Sequence, residues 1–136
     1  LIGSSLGGFY ATWIMQNHNN ADQFLAIMLN PSTNPSNDLK TEVTDIKEWQ
    51  EKTLDNQYLK VNHLKYLHKL EIEISGKIKH PKKILLVAAK GDEILDWNQM
   101  AVFFEGCEHY LIEGSDHSLS NFPAHWPFIT KFITHS

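Results

Sequence analysis

Three apolar runs along the chain have the length and composition of buried β-strands. Phe24–Leu29 and Ile84–Ala89 are continuous apolar segments, and they are followed by Pro31 and Gly91 respectively. Uninterrupted apolar runs of this length are typical of strands covered on both faces of a parallel sheet. Tyr110–Ile112 is a shorter third candidate. The pattern therefore predicts a parallel sheet.

Helical spacing occurs before, between and after these runs. From Leu6 onward, apolar side chains recur three and four positions apart, which predicts an amphipathic helix that ends in the polar residues 17–20. Its predicted buried stripe comprises Leu6, Phe9, Tyr10, Trp13 and Ile14. Further helices are predicted over 97–105 and 122–133. Strands that alternate with helices predict an α/β fold, in which helices flank the parallel sheet.

Between about residues 31 and 81 the pattern changes. A loop rich in Pro, Ser and Asn leads into charged, helix-prone sequence from Leu39 to Leu70. Because 136 residues give room for one domain, we interpret 31–81 as a helix-rich insertion within a single domain spanning 1–136. Its apolar positions fit an outer-layer helix packed on the sheet, which is the usual role of an amphipathic helix, and the alternative is a lid over a site at the strand ends.

Composition and charge exclude several classes of function. The net charge is −4, and the 12 residues counted as Lys or Arg are all Lys. An acidic chain without Arg lacks the forked guanidinium groups that bind guanine edges and phosphates, so nucleic acid is not an expected partner. The sequence contains no run of about 18 apolar residues, so no membrane span is predicted.

The single cysteine and the histidines also limit the chemistry. Cys107 is alone, which excludes an internal disulfide and a thiolate-rich zinc site, and it fits a reducing compartment such as the cytoplasm. The 8 His residues show no HExxH or similar spacing. We therefore predict no metal site.

The motif Gly3-x-Ser5-x-Gly7 follows the apolar pair Leu1-Ile2, which we interpret as the end of a strand, and leads into the helix predicted from Leu6. In this context the pattern is typical of a nucleophile elbow. The serine of such a turn has a positive φ. We expect the positions of Gly3 and Gly7 to require glycine, because a side chain there would keep the strand and the helix apart. A glycine-rich phosphate-binding turn is the alternative, but neither the GxGxxG spacing nor the P-loop ending is present.

A nucleophilic serine needs a histidine base and an acid that orients it. In α/β-hydrolases these follow the serine in the order acid, then histidine, each after the end of a strand. Asp92 and His117 meet both conditions. Asp96 is better explained as a helix cap, Glu93 is expected to face away from its neighbour, and Asp116 is expected to be a turn residue.

Four segments carry a resemblance to a known family. They are GSSLGGFYATWI at 3–14, LNP at 29–31, GDEILDW at 91–97 and IEGSDH at 112–117. In this order they resemble the YqiA-like small bacterial esterases of the α/β-hydrolase superfamily. The resemblance implies that Ser5 is the nucleophile, Asp92 the acid and His117 the base. It also implies that the backbone N–H of Leu6 contributes to an oxyanion hole, and that no cofactor is required.

Members of that family begin with a strand that ends in a His-Gly-Phe type segment, whose loop donates a second oxyanion-hole N–H. The sequence opens at Leu1 without such a segment, so we expect it to be the C-terminal part of a longer hydrolase. The expected function is hydrolysis of small carboxylic esters or acyl thioesters through an acyl-enzyme on Ser5. The alternatives are a non-catalytic binding module on the same fold and an acyltransferase that uses the same three residues.

Overall fold

In the computed structural model, which describes residues 1–39 and 54–136, four parallel strands form one sheet in the order β1-β2-β3-β4. The strands are β1 (Ile2–Ser4), β2 (Ala26–Leu29), β3 (Ile84–Ala89) and β4 (Glu108–Ile112). Each strand pairs with the one before it in the chain, with Gly3 opposite Met28, and Met28 opposite Leu86. This arrangement confirms the predicted α/β class with a parallel sheet.

Helices connect the strands, as parallel pairing requires. The helices whose bounds lie within the described residues are α1 (Leu6–Asn17), α2 (Leu54–Glu73), α3 (Trp97–Phe103) and α4 (Phe122–His135). Short 3₁₀ turns at Ala21–Gln23 and Pro81–Lys83 lead towards β2 and into β3. None of the helices in the described part of the chain is both long and apolar enough to cross a membrane.

The sheet is covered on both faces because successive strand residues point in opposite directions. On one face, α1 and α3 pack on the strands through Ala11, Met15, Met100, Phe104, Met28, Leu86 and Ala88. On the other face, α4 packs through Ile129, Phe132, Ile27, Leu85, Val87 and Ala89. All six residues of β3 are buried, as its uninterrupted apolar sequence predicts. Burial of each large apolar side chain stabilises the fold by about 1.5–3 kcal/mol.

The buried stripe of α1 differs from the predicted one. Of the five residues predicted to be buried, only Phe9 is fully so, while the others are half-buried. The buried positions are Gly8, Phe9, Ala11, Thr12, Met15 and Gln16. Small side chains at three of these positions let the helix lie close to the strands, whereas the prediction selected the largest apolar side chains. The buried stripe is therefore offset by two positions along the helix, because residues 8, 11, 12, 15 and 16 each follow a predicted position by two.

The described residues divide into two compact units, one comprising Leu1–Thr33 with Gly76–Ser136 and the other Asn34–Ser75. In the second unit, the N–H and hydroxyl of Ser36 donate to the carboxylate of Glu71 at 2.7 and 2.8 Å. This unit lies within the segment 31–81. The interpretation of that segment as an insertion within a single domain stays a prediction. Its residues 40–53 lie outside the described residues. The sheet and the residues discussed below belong to the first unit.

Candidate active site

Ser5 occupies a sharp turn between β1 and α1. Its backbone has φ 52° and ψ −119°, the positive φ that the motif predicts. Hydrogen bonds hold this conformation on both sides. The Ser5 N–H donates to the carbonyl oxygen of Leu29 at 3.0 Å, and the Ser5 carbonyl accepts from the N–H groups of Ser32 and Gly8, each at 3.0 Å. A strained backbone of this kind persists only where its surroundings fix it.

The glycines of the motif have unequal roles in the turn. A Cβ atom on Gly3 would lie 2.3 Å from the carbonyl oxygen of Gly7, so no side chain fits there. Beyond its chain neighbours and the backbone of its own helix, a Cβ atom on Gly7 would meet nothing within 4 Å, so the steric role predicted for Gly7 was wrong. The second close approach is at Gly8, where a Cβ would lie 2.7 Å from that of Pro31. Gly8 faces the sheet, whereas Gly7 faces outward at the start of α1.

The structure brings Ser5, His117 and Asp92 together. Ser5 Oγ lies 3.0 Å from His117 Nε2, and His117 Nδ1 lies 2.8 Å from Asp92 Oδ2. Because an aspartate accepts hydrogen bonds, it favours the tautomer with a proton on Nδ1, which leaves Nε2 to accept from the serine hydroxyl. The three side chains therefore form a continuous hydrogen-bonded chain.

Sheet topology explains how three distant residues meet. Ser5 directly follows β1, Asp92 follows β3 through Lys90 and Gly91, and His117 is in the loop after β4. In a parallel sheet these carboxyl ends lie along one edge, where α/β proteins place their ligands. The site is thus assembled from the strand ends that the sequence predicted.

Asp92 is well fixed for its contact with the imidazole. Its side chain is 0% exposed, against 19% for that of His117. Oδ1 accepts the backbone N–H groups of Ile94 and Leu95, each at 2.8 Å. Since these bonds occupy one carboxylate oxygen, the other is directed at His117. A shielded carboxylate that is hydrogen-bonded in this way can hold a histidine in one tautomer and orientation.

One glycine and a helix terminus complete the surroundings of these three side chains. A Cβ on Gly91 would lie 2.3 Å from the carbonyl oxygen of Ser115, so this glycine lets the loops carrying Asp92 and His117 approach. The N–H of Leu6 belongs to the first turn of α1, where backbone N–H groups have no acceptor within the helix. Such a terminus favours negative charge next to Ser5.

The other carboxylates have different roles. Asp96 is the N-cap of α3 and accepts from the N–H of Asn98 at 2.8 Å. Asp116 accepts from the N–H and the hydroxyl of Ser120. The hydroxyl of Ser120, together with backbone N–H groups, holds the pKa of Asp116 below its usual value. Both carboxylates therefore stabilise local turns.

Glu93 differs from the expectation that it faces away from Asp92. Its carboxylate accepts the backbone N–H of His117 at 3.0 Å. Asp92 and Glu93 thus both reach the same histidine, one at the ring and the other at the main chain. The expectation came from the alternation of neighbouring side chains in regular elements, which does not hold in the irregular loop after β3.

Asn30 is a residue whose part in the site the sequence did not reveal. It is fully buried at the end of β2 and has a positive φ of 39°. Its amide nitrogen donates to the carbonyl oxygens of Asp116 and His117 at 3.1 and 2.9 Å. Its amide oxygen accepts the N–H of Ala89 at 2.8 Å. The available signal was an Asn at a strand end before a proline, since Asn tolerates a positive φ.

The described His, Cys, Asp and Glu side chains do not form a metal site. Among the described residues, no group of three or more His, Cys, Asp or Glu side chains is placed to hold a metal ion. Cys107 is half-buried, and desolvation raises the pKa of its thiol to about 11. The thiol is therefore protonated at neutral pH.

The fold is similar to that of a solved structure of an esterase from Pyrococcus furiosus. The similarity covers 98% of this chain and 52% of that one, with a TM-score of 0.61 and 15% sequence identity. The chain therefore spans about half the length of that esterase. At this identity the similarity concerns the fold, which is of the α/β-hydrolase type.

A family model also matches the chain. The family is described as "Uncharacterised protein family (UPF0227)", and its model matches residues 1–134. The match extends from β1 through α4 and so includes Ser5, Asp92 and His117. It confirms the resemblance to the YqiA-like esterases that the four sequence segments indicated. The chain belongs to the UPF0227 family.

Proposed function

We propose that the protein is a serine hydrolase that cleaves carboxylic esters or acyl thioesters. The observation that carries the proposal is the hydrogen-bonded chain from Ser5 Oγ through His117 to Asp92, with spacings of 3.0 and 2.8 Å. The chain starts from a serine at positive φ between a strand and a helix, which is the setting of a nucleophile elbow. The esterase fold of the structural neighbour agrees with this chemistry.

In the first half of the reaction, Ser5 Oγ attacks the acyl carbon of the substrate while His117 Nε2 takes the hydroxyl proton. The carbonyl π electrons move onto oxygen and form a tetrahedral oxyanion. The N–H of Leu6 is one donor to this oxyanion. His117 then gives its proton to the leaving alcohol or thiol as the bond to the acyl carbon breaks. The product of this half is an acyl-enzyme on Ser5.

The second half repeats these steps with water. His117 accepts a proton from water as its oxygen attacks the acyl carbon, and the proton then returns to Ser5 as the ester bond breaks. Asp92 keeps the imidazole oriented and stabilises its positive charge in both halves. A preorganised oxyanion donor contributes about 10²- to 10³-fold to the rate. The reaction needs no cofactor.

A fluorophosphonate probe tests the proposal in the intact, full-length protein. Such probes react with a serine whose hydroxyl is activated by a base. We expect labelling of the wild type at Ser5 and none in Ser5→Ala. Ser4→Ala is the matched control, because Ser4 is the adjacent, exposed last residue of β1, and this variant should be labelled normally. Equal labelling of Ser5→Ala and wild type would refute the assignment.

A further inference from the structure

His117 is bound through its main chain as well as through its ring. Its N–H donates to the carboxylate of Glu93 at 3.0 Å, and its carbonyl accepts from the amide of Asn30 at 2.9 Å. The two partners come from different loops, which follow β3 and β2. The backbone of the histidine is therefore held at both of its hydrogen-bonding groups by side chains distant in sequence.

We propose that Asn30 and Glu93 are positioning residues for the reaction, which set the place of the His117 imidazole by holding its backbone N–H and carbonyl. The proposal rests on the proposed function. Both side chains bind the main chain of His117. They therefore affect the reaction through the position of this histidine and not through a contact with the reacting atoms.

Sheet order explains why Asn30 is suited to this task. Strand β2 lies between β1, which precedes Ser5, and β3, which precedes Asp92. At the end of β2, the amide of Asn30 reaches forward to the His117 loop, and its oxygen accepts the N–H of Ala89 at the end of β3. Asp92 itself bonds back to Ala89, since its N–H donates to the Ala89 carbonyl at 3.2 Å. The buried side chain of Asn30 thus connects the loop that contains His117 to β3, the strand that precedes Asp92.

Glu93 supplies a second and shorter connection. It directly follows Asp92, so the same loop contacts the ring of His117 at one residue and its backbone at the next. A movement of the histidine loop away from Asp92 would have to break both contacts. Because the Glu93 side chain is exposed, its replacement should leave the fold intact.

The first experiment compares Glu93→Ala with Glu93→Gln in the full-length protein. Alanine removes the acceptor, whereas glutamine keeps an amide oxygen for the His117 N–H and loses only the charge. We expect Glu93→Ala to lower kcat for a p-nitrophenyl ester by about 10- to 100-fold, because small displacements of reacting groups have effects of this size. KM should be unchanged. Glu93→Gln should retain most of the wild-type kcat.

A matched control removes a carboxylate from the neighbouring loop. Glu113 follows β4, and its carboxylate binds Lys90 rather than His117. Glu113→Ala should leave kcat unchanged. An equal loss of kcat in Glu113→Ala and Glu93→Ala would indicate a general effect of charge, and would overturn the proposal for Glu93.

A second measurement reads the geometry of His117 without turnover. The proton between His117 Nδ1 and Asp92 gives a downfield ¹H NMR resonance when the two groups are held together. We expect this resonance to broaden or disappear in Glu93→Ala and to persist in Glu93→Gln and Glu113→Ala. An unchanged resonance and an unchanged kcat in Glu93→Ala would overturn its role.

Asn30→Asp tests the other contact. The substitution keeps the size of the side chain and an acceptor for Ala89, but it places an oxygen against the carbonyls of Asp116 and His117. We expect a loss of kcat at least as large as in Glu93→Ala, again with KM unchanged. Wild-type kcat and an unchanged resonance in a folded Asn30→Asp would overturn the role of Asn30. If this variant does not fold, Asn30→Ser, which is smaller and uncharged, is judged by the same two readouts.

The outcomes separate this inference from the proposed function. If fluorophosphonate does not label Ser5 in the wild type or in the Glu93 variants, the hydrolase proposal fails. The NMR comparison would still decide whether Glu93 and Asn30 hold His117 against Asp92. If Ser5 is labelled at the same rate in Glu93→Ala, Asn30→Asp and wild type, the hydrolase proposal stands and the positioning role is refuted.

Discussion

His117 Nδ1 lies 2.8 Å from an oxygen of Asp92, although the two residues are 25 positions apart. The Asp92 side chain is completely shielded from solvent, and its other oxygen is occupied by backbone N–H groups. This carboxylate therefore has a single orientation relative to the imidazole. The arrangement makes the assignment of the acid directly testable.

Asp92→Asn should lower turnover by about 10⁴-fold, because an amide in place of the carboxylate favours the wrong histidine tautomer. Asp96→Asn should leave turnover unchanged and should alter stability by no more than about 1 kcal/mol, since Asn is also a good N-cap. Ester hydrolysis and thermal unfolding of the full-length variants measure the two effects. The opposite ranking in turnover would assign the acid to Asp96.

The glycines at the serine turn should respond in opposite ways to alanine. Gly3→Ala places a methyl group against the Gly7 carbonyl, and we expect a loss of about 1–3 kcal/mol in the free energy of unfolding. Gly7→Ala meets open space at the start of α1. It should be neutral or stabilising by up to about 1 kcal/mol, because alanine favours helix. Chemical denaturation measures both, and equal destabilisation would contradict the observed geometry.

Cys107 should react slowly with alkylating reagents while the protein is folded. Desolvation raises the pKa of its thiol from 9.0 to about 11, so at pH 8 only about one molecule in a thousand carries the reactive thiolate. Alkylation by iodoacetamide should therefore be much faster after unfolding in guanidinium chloride. A native rate equal to the unfolded rate would show that the thiol is not desolvated.

The same shift has a consequence for stability. Because the folded pKa of Cys107 is the higher one, folding favours the protonated thiol. The resulting stabilisation is complete below about pH 9, and it is lost as the pH rises towards 11. The free energy of unfolding should decline less over this interval in Cys107→Ala than in the wild type. An identical decline would contradict the expected linkage.

Ser120→Ala should raise the pKa of Asp116 towards its ordinary value. The Ser120 hydroxyl, the largest cause of the lowered pKa, donates to the charged carboxylate. A lowered folded pKa stabilises the protein above the unfolded pKa, and this contribution disappears as the pH falls through the folded pKa. NMR titration of the Asp116 carboxyl measures the change. A titration curve that is the same in both proteins would exclude this hydrogen bond in solution.

Much of the fold was predictable because its signals are local. The run Ile84–Ala89 coincides with β3, and the apolar spacing after Leu6 corresponds to α1. The predicted strand Phe24–Leu29 begins later, at Ala26, because a 3₁₀ turn occupies Ala21–Gln23. Such turns carry little hydrophobic periodicity. Strand and helix identity could thus be read from the sequence, while the boundaries depended on turn geometry.

The parts of the site that the sequence did not reveal depend on contacts between loops. Asn30 bonds to residues 86 and 87 positions away, and no local pattern encodes such a pairing. Gly91 resembled an ordinary strand-end glycine, yet it is required by the nearby carbonyl of Ser115. Gly8 was likewise recognisable only once Pro31 was placed beside it. Sequence motifs identify the side chains that are able to react. The residues that hold those side chains in place are defined by the tertiary structure.

The strand order also orders events during synthesis. Every strand of the described sheet pairs with its predecessor in the chain, so the sheet can grow from one edge as the polypeptide leaves the ribosome. His117 follows Ser5 by 112 residues, which at about 5–20 residues per second corresponds to roughly 6–22 s. During that interval Ser5 has been synthesised but its hydrogen-bond partner His117 has not. Nascent chains stalled before His117 should therefore resist fluorophosphonate labelling, because we expect Ser5 to become reactive only once the loop after β4 has been synthesised.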